Sequence, residues 1–276
     1  MKIRLFPWIA LFVIMLSGVA SAHGDLHDRI AQVTEQLREA PSAGLFFKRG
    51  RLHLEHGEVN AALEDFRETD RLAPGVFETD PPRAEGYMLL GKYNLALDFL
   101  NRCLNRDPSA SRCLVMRARV FGRLGKPDSA IRDYRKALAL VSHPEPDLLL
   151  EASAALAENK QTSDALEVLD QGISRLGPLP SLVNAAVEID FGNGNIEGAL
   201  WRIDVARDAS PRPEPWMARR ASVLARAGRI AESRTSWRFL LDHISSLPPG
   251  ERTSHAMCAR AREAREALTA LESNLP

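Results

Sequence analysis

Large and small side chains recur along the chain at one fixed interval. Large ones stand at Phe66, Leu100, Tyr134, Leu169, Ile203 and Trp237, and four residues before each stands a small one: Ala62, Ala96, Ala130, Ala165, Ala199 and Ser233. A further column runs through Gly50, Ala84, Ala118, Ser153, Val187 and Ala221, each seven residues before a slot held by Gly57, Gly91, Gly125, Lys160, Gly194 and Gly228. The slots are 34 residues apart, with one extra residue between the third and the fourth. A small residue lets two helix backbones approach, and a large one a turn later fills the space beside the contact. Glycine in the slot suits a turn between antiparallel helices, because it tolerates positive φ. Pro74, Pro108 and Pro211 stop the second helices of their units.

The pattern predicts six helix-turn-helix units over 43–76, 77–110, 111–145, 146–179, 180–213 and 214–247. The second unit carries Pro81-Pro82, so its first helix is expected to start at or after Pro82 and to be short. Ahead of the array, residues 23–42 hold a capping helix, Asp25 to Ala40, with Ile30, Val33 and Leu37 on one face. Behind it, in 248–276, Pro248-Pro249-Gly250 breaks the chain before a last helix from about Thr253 to Leu271. No segment alternates long enough to predict a strand.

The first 22 residues stand apart. Lys2 and Arg4, the apolar stretch Leu5 to Leu16 and the small-x-small end Ala20-Ser21-Ala22 have the form of a secretory signal peptide cleaved after Ala22, which predicts a periplasmic or secreted product with no membrane insertion after cleavage. Across 276 residues, 36 Lys+Arg balance 36 Asp+Glu, so no net field draws the chain to nucleic acid. Three cysteines rule out a disulfide-built mini-fold and offer no zinc cluster.

Phe46, Gly50, Gly57, Ala62, Phe66 and Pro74, and again Leu114, Ala118, Gly125, Ala130, Tyr134 and Ala137, resemble the tetratricopeptide repeat. The resemblance covers residues 43 to 247. It implies an all-α, right-handed superhelical solenoid and a non-catalytic scaffold or adaptor that needs no cofactor and binds a protein or peptide segment on a concave face lined by the first helices. By that register the lining residues are Phe47, Lys48, Arg51 and Glu55 in the first unit, Glu85, Met88 and Leu89 in the second, and Arg112, Arg119 and Arg123 in the third. The later units add Glu151 and Glu158, then Asn184, Glu188 and Phe191, then Arg219 and Arg226. Arg112, Arg119 and Arg123 return to one helical face, which points to an acidic partner segment unless Glu85 or Glu151 answers them internally.

Other motifs carry weaker signals. Gly192-Asn-Gly194-Asn-Ile-Glu-Gly198 has a late third glycine and no strand before it, and Gly194 is already a turn glycine. His53-Leu54-Glu55-His56 lacks the HExxH spacing and a third ligand. His23 at a mature N-terminus, with His27 in reach, would support an alternative metal-handling role. Cys103 and Cys113 lie five residues either side of Pro108, where two antiparallel helices meet, and form either a disulfide or two separate buried thiols. Cys258 has no obvious partner.

Overall fold

The structure is a computed structural model and describes residues 25–76 and 78–273. The predicted signal segment 1–22 and His23 lie outside the described residues. Among those described there are fifteen helices and no strand, and after Leu140 the chain divides into two compact units.

Unit 1 contains α1 (residues 25–39), α2 (Ala43–Glu55), α3 (Val59–Leu72), α4 (Asp80–Leu89), α5 (Tyr93–Arg106), α6 (Ser111–Arg123) and α7 (Pro127–Leu140). Unit 2 contains α8 (Pro146–Glu158), α9 (Thr162–Leu176), α10 (Pro180–Gly192), α11 (Ile196–Asp208), α12 (Glu214–Arg226), α13 (Ile230–Ser246), the single turn α14 (Pro249–Arg252) and α15 (His255–Ser273). Each even-numbered helix from α2 to α12 pairs with the next one in sequence, and within unit 1 the first helices also lie side by side, α2 against α4 and α4 against α6.

The repeated columns are the core. All six large positions are buried, and so are all six small ones and the six residues of the column that precedes the turn. Ser233 and Ser153 stand where neighbouring units have alanine or another apolar residue, and their hydroxyls donate to Ala221 O at 2.8 Å and Leu150 O at 2.9 Å. A buried hydroxyl is tolerated when it has such a partner.

Every turn closes the same way. The residue after the slot donates its N–H to the carbonyl five residues back, as Glu58 does to His53 at 2.8 Å, while the slot residue itself donates three residues back, as Gly57 does to Leu54 at 3.1 Å. This Schellman arrangement needs positive φ at the slot. Five glycines adopt it at 66° to 84°, and Lys160 adopts it at 60° without being glycine.

Two expected boundaries are corrected. Helix α4 begins at Asp80, ahead of Pro81 and Pro82, because the first-turn N–H groups have no intrahelical acceptor and proline loses nothing there. At the C-terminal end, Pro249 opens the turn α14 rather than only breaking the chain, for the same reason.

Cys103 and Cys113 are bonded to each other, with Cα atoms 6.6 Å apart, and tie the end of α5 to the start of α6. Both are 1% exposed within a cluster that includes Leu100, Leu104, Leu114 and Ala137. Cys258 is free and exposed.

Two outcomes follow from this packing. Lys160→Gly should raise stability by about 0.5–1 kcal/mol, because the left-handed penalty of a residue with a Cβ exceeds the extra unfolded-state entropy of glycine; an unchanged denaturant midpoint would remove the assigned strain. Replacing both Cys103 and Cys113 by alanine should lower stability by about 2–3 kcal/mol on the loop-entropy estimate for a separation of 10 residues, read as a reduced midpoint with helicity retained.

Candidate functional site

The first helix of each pair turns one stripe into its neighbours and leaves another free, since residues three and four apart share a helical face. In unit 1 the free stripe of α2 carries Lys48, Arg51 and Glu55, all exposed and without an ion pair among the described residues. On α4, Glu85 is half-buried and accepts a hydrogen bond from Arg112 of α6 at 3.0 Å, so part of the cationic row is answered within the fold. Leu89, at the end of α4, is 62% exposed. On α6, Arg119 and Arg123 are exposed, and Arg123 has no ion pair among the described residues.

Two of the expected lining residues also take part in packing. Phe47 is half-buried with its ring centroid 5.9 Å from that of Phe66. Met88 is partly buried against the cluster built on Leu100 and Leu114.

In unit 2 the stripes of α10 and α12 close on each other. Glu158 is exposed and Glu151 half-buried on α8. Asn184 turns its amide back to donate to Pro180 O at 2.8 Å, so it reaches along its own helix. Glu188 of α10 receives two hydrogen bonds from Arg226 of α12, at 2.7 and 2.9 Å, and another from Arg219. The Arg226 guanidinium also lies 4.1 Å from the ring centroid of Phe191. The hydrogen bonds from Arg226 first, and then from Arg219, hold the Glu188 carboxyl down at about 2 against burial, which acts the other way.

A second set of arginines belongs to the interior. Arg49 of α2 clasps Asp65 of α3 with bonds of 2.8 and 2.6 Å, and Arg117 of α6 clasps Asp133 of α7 at 2.7 and 2.9 Å. Arg83 holds the matching place in the pair between them, where the second helix offers Phe99 instead of Asp, and its guanidinium stacks 4.4 Å from that ring. These residues were missed in the sequence, although Arg49, Arg83 and Arg117 recur at the same 34-residue interval. A search for charged columns as well as apolar ones would have found them.

The histidines gather at the first turn. Glu58 bridges His53 and His56, meeting their Nδ1 atoms at 2.5 and 3.1 Å, and His27 packs edge-on against His56 with centroids 4.4 Å apart. The bond to His53, and then the one to His56, holds the Glu58 carboxyl below its ordinary range. Among the described residues no group of three or more His, Cys, Asp or Glu is placed to hold a metal ion. The stretch around Gly194 is a helix turn, in which Asn195 Oδ1 caps α11 by accepting from Gly198 N at 3.1 Å. No helix among the described residues is long and apolar enough to cross a membrane.

Comparison with known proteins agrees with this geometry. Residues 111–140, the pair α6–α7, match the family model of the tetratricopeptide repeat. The crystal structure of a tetratricopeptide repeat protein from Parabacteroides merdae superposes with a TM-score of 0.54 at 16% identity, covering 94% of this chain and 97% of that one. YrrB, described as a tetratricopeptide-repeat protein with an unusual peptide-binding site, superposes with a TM-score of 0.52 at 18% identity, over 65% of this chain and 92% of its own. In sequence, 191 residues match human General transcription factor 3C polypeptide 3 at 22% identity, which is 67% of this chain and 22% of that protein. The chain therefore spans about a fifth of the length of that relative. Six helix pairs with one turn geometry and one set of buried columns, one of them matched by the family model, make the chain a tetratricopeptide-repeat protein.

Proposed function

We propose that the protein is a non-catalytic scaffold acting outside the cytoplasm, and that the first-helix face of unit 1 docks an acidic segment of a partner polypeptide. Charge carries this reading. Lys48, Arg51 and Arg123 have no ion pair among the described residues, Arg112 is answered only by Glu85, and the unpaired carboxylate opposing them on these helices is Glu55. Unpaired guanidinium groups offer fork-shaped donors to carboxylates. Exposed Leu89 supplies an apolar contact on the same helices, and an interface commonly centres on one such anchor within a polar rim.

Two further features support the reading. The fold is one whose general use is protein–protein interaction, and YrrB, which shares it, is described as having a peptide-binding site. The signal-like residues 1–22 and a fully buried disulfide both suit an oxidising compartment outside the cytoplasm.

The test is fluorescence anisotropy of a labelled peptide in which glutamates flank one leucine. Binding should weaken steeply as salt rises past about 0.1 M, where the screening length falls to about 10 Å. Arg123→Glu should weaken it by about tenfold or more, roughly 1.4 kcal/mol, with helicity unchanged. Equal affinity for wild type and Arg123→Glu would move the site off this face.

A further inference from the structure

Several ion pairs among the described residues are built on a buried carboxylate. In Arg49–Asp65, Arg117–Asp133 and Arg202–Asp190 the carboxylate side chain is only 5%, 9% and 3% exposed, so the acid is a fixed part of the interior and the arginine covers it. Glu188 on Arg219 is the reverse case, as are Asp170 on Arg202 and Glu272 on Arg234, but of these three only Glu188 meets two arginines on the first-helix face. The Glu188 side chain is 46% exposed, while Arg219 is 25% and Arg226 43% exposed. Here Arg219 is the more buried partner, Arg226 rests on the Phe191 ring, and the carboxylate lies toward solvent.

We propose that Arg219, Arg226 and Phe191 form a carboxylate-binding site on the first-helix face of unit 2, occupied in the free protein by the chain's own Glu188 and opened when an acidic side chain of a partner polypeptide displaces it. This rests on reading first helices as docking surfaces, and it adds a self-occluded site on unit 2 to the site proposed on unit 1.

Four observations converge on it. Two guanidinium groups meet a single carboxylate, leaving one positive charge uncompensated in the cluster. Arg219 Nε is buried with no hydrogen-bond partner, so the cluster retains an unmet donor; such a donor is costly to leave unused. Arg226 is held by the face of Phe191 independently of Glu188, so it stays oriented when the carboxylate leaves. Finally, Gly192, one turn on from Glu188 along α10, is exposed, and no atom beyond its chain neighbours and its own helix backbone lies within 4 Å of where its Cβ would be, so no other element covers that position.

The occluding contact is not released by mild acid. Held at about 2, the Glu188 carboxyl stays charged on its arginines until the pH approaches that value. Opening therefore needs a competing anion rather than a proton. A segment carrying several carboxylates competes well, because its other charges keep the local concentration of the attacking group high once one is bound.

The experiment uses the full chain and the same glutamate-and-leucine peptide. Glu188→Gln keeps the side chain's size and removes its charge, and should bind the peptide at least about tenfold more tightly than wild type. Glu188→Gln combined with Arg226→Gln should lose that gain. An affinity for Glu188→Gln no greater than wild type, or a gain that survives the second substitution, overturns the proposal. Arg123→Glu separates the two readings: if it weakens binding while Glu188→Gln changes nothing, the unit 1 face stands and the occluded site falls. A measurement on wild type needs no variant to fold. At neutral pH, where the peptide's carboxylates are charged, the side-chain carboxyl ¹³C resonance of Glu188 should shift as saturating peptide displaces it from Arg219 and Arg226; a resonance unmoved by bound peptide would also overturn the site.

Discussion

The close approach of paired helices at residues too small to hold them apart is the contact on which everything else in this protein depends. Gly50 shows how little room there is: a Cβ added there would sit 2.8 Å from the Phe66 ring and 3.1 Å from Asp65 Cβ. With backbones this near, the large residue of the second helix has one place to go, and it fills the gap between the two helices of its own pair. One pair still leaves apolar surface uncovered, so it is stable only with a neighbour. That is why α3 packs on α4 and α5 on α6, and why α1 and α15 lie over the ends of their units, α1 placing Val33 and Leu37 against Leu52 and α15 placing Ala261 and Ala264 with Leu240.

Once the columns are spent on packing, the positions left to vary are the free stripes of the first helices, and the two units use theirs differently. Unit 1 leaves Lys48, Arg51 and Arg123 without ion pairs among the described residues, whereas unit 2 folds Glu188 onto Arg219 and Arg226. Both arrangements place guanidinium groups at the surface of a rigid frame, and rigidity matters because a partner then bears less of the ordering cost. The disulfide adds to that rigidity where it helps most, fixing the start of α6, the helix that presents Arg112 and Arg123.

Legibility in the sequence followed the same division. The columns could be read because they obey short-range geometry: a small residue, a large one four later and a turn residue at a fixed offset leave little freedom. Even the exceptions kept the rule, since Lys160 was forced into the glycine conformation and Ser233 found an acceptor for its hydroxyl. Boundaries at prolines were less legible, because Pro81 both resists a helix interior and suits a first turn, and only the packing of Asp80 beneath Arg102 and Arg106 shows which tendency prevails. The face was the least legible part. Arginine reaches far enough to choose among several carboxylates, so the sequence placed Arg112, Arg219 and Arg226 on the right helices without showing that Glu85 and Glu188 had already engaged them. Phe47 was assigned to the face by register and lies against Phe66, because an aromatic ring at the edge of a packed pair gains more from the core than from water.

That division also limits what similarity can say about such a chain. Relatives at 16–18% identity share its fold because the columns alone are enough to build it. The free stripes are under no such constraint, so two chains can superpose and present opposite charge to their partners. Specificity in a fold of this kind is a difference in the charge and apolar groups displayed, and in which of those groups the chain has already satisfied for itself. An internal carboxylate such as Glu188 is then as informative as an exposed arginine, since it marks where an external one would bind and sets the affinity a partner must exceed to displace it.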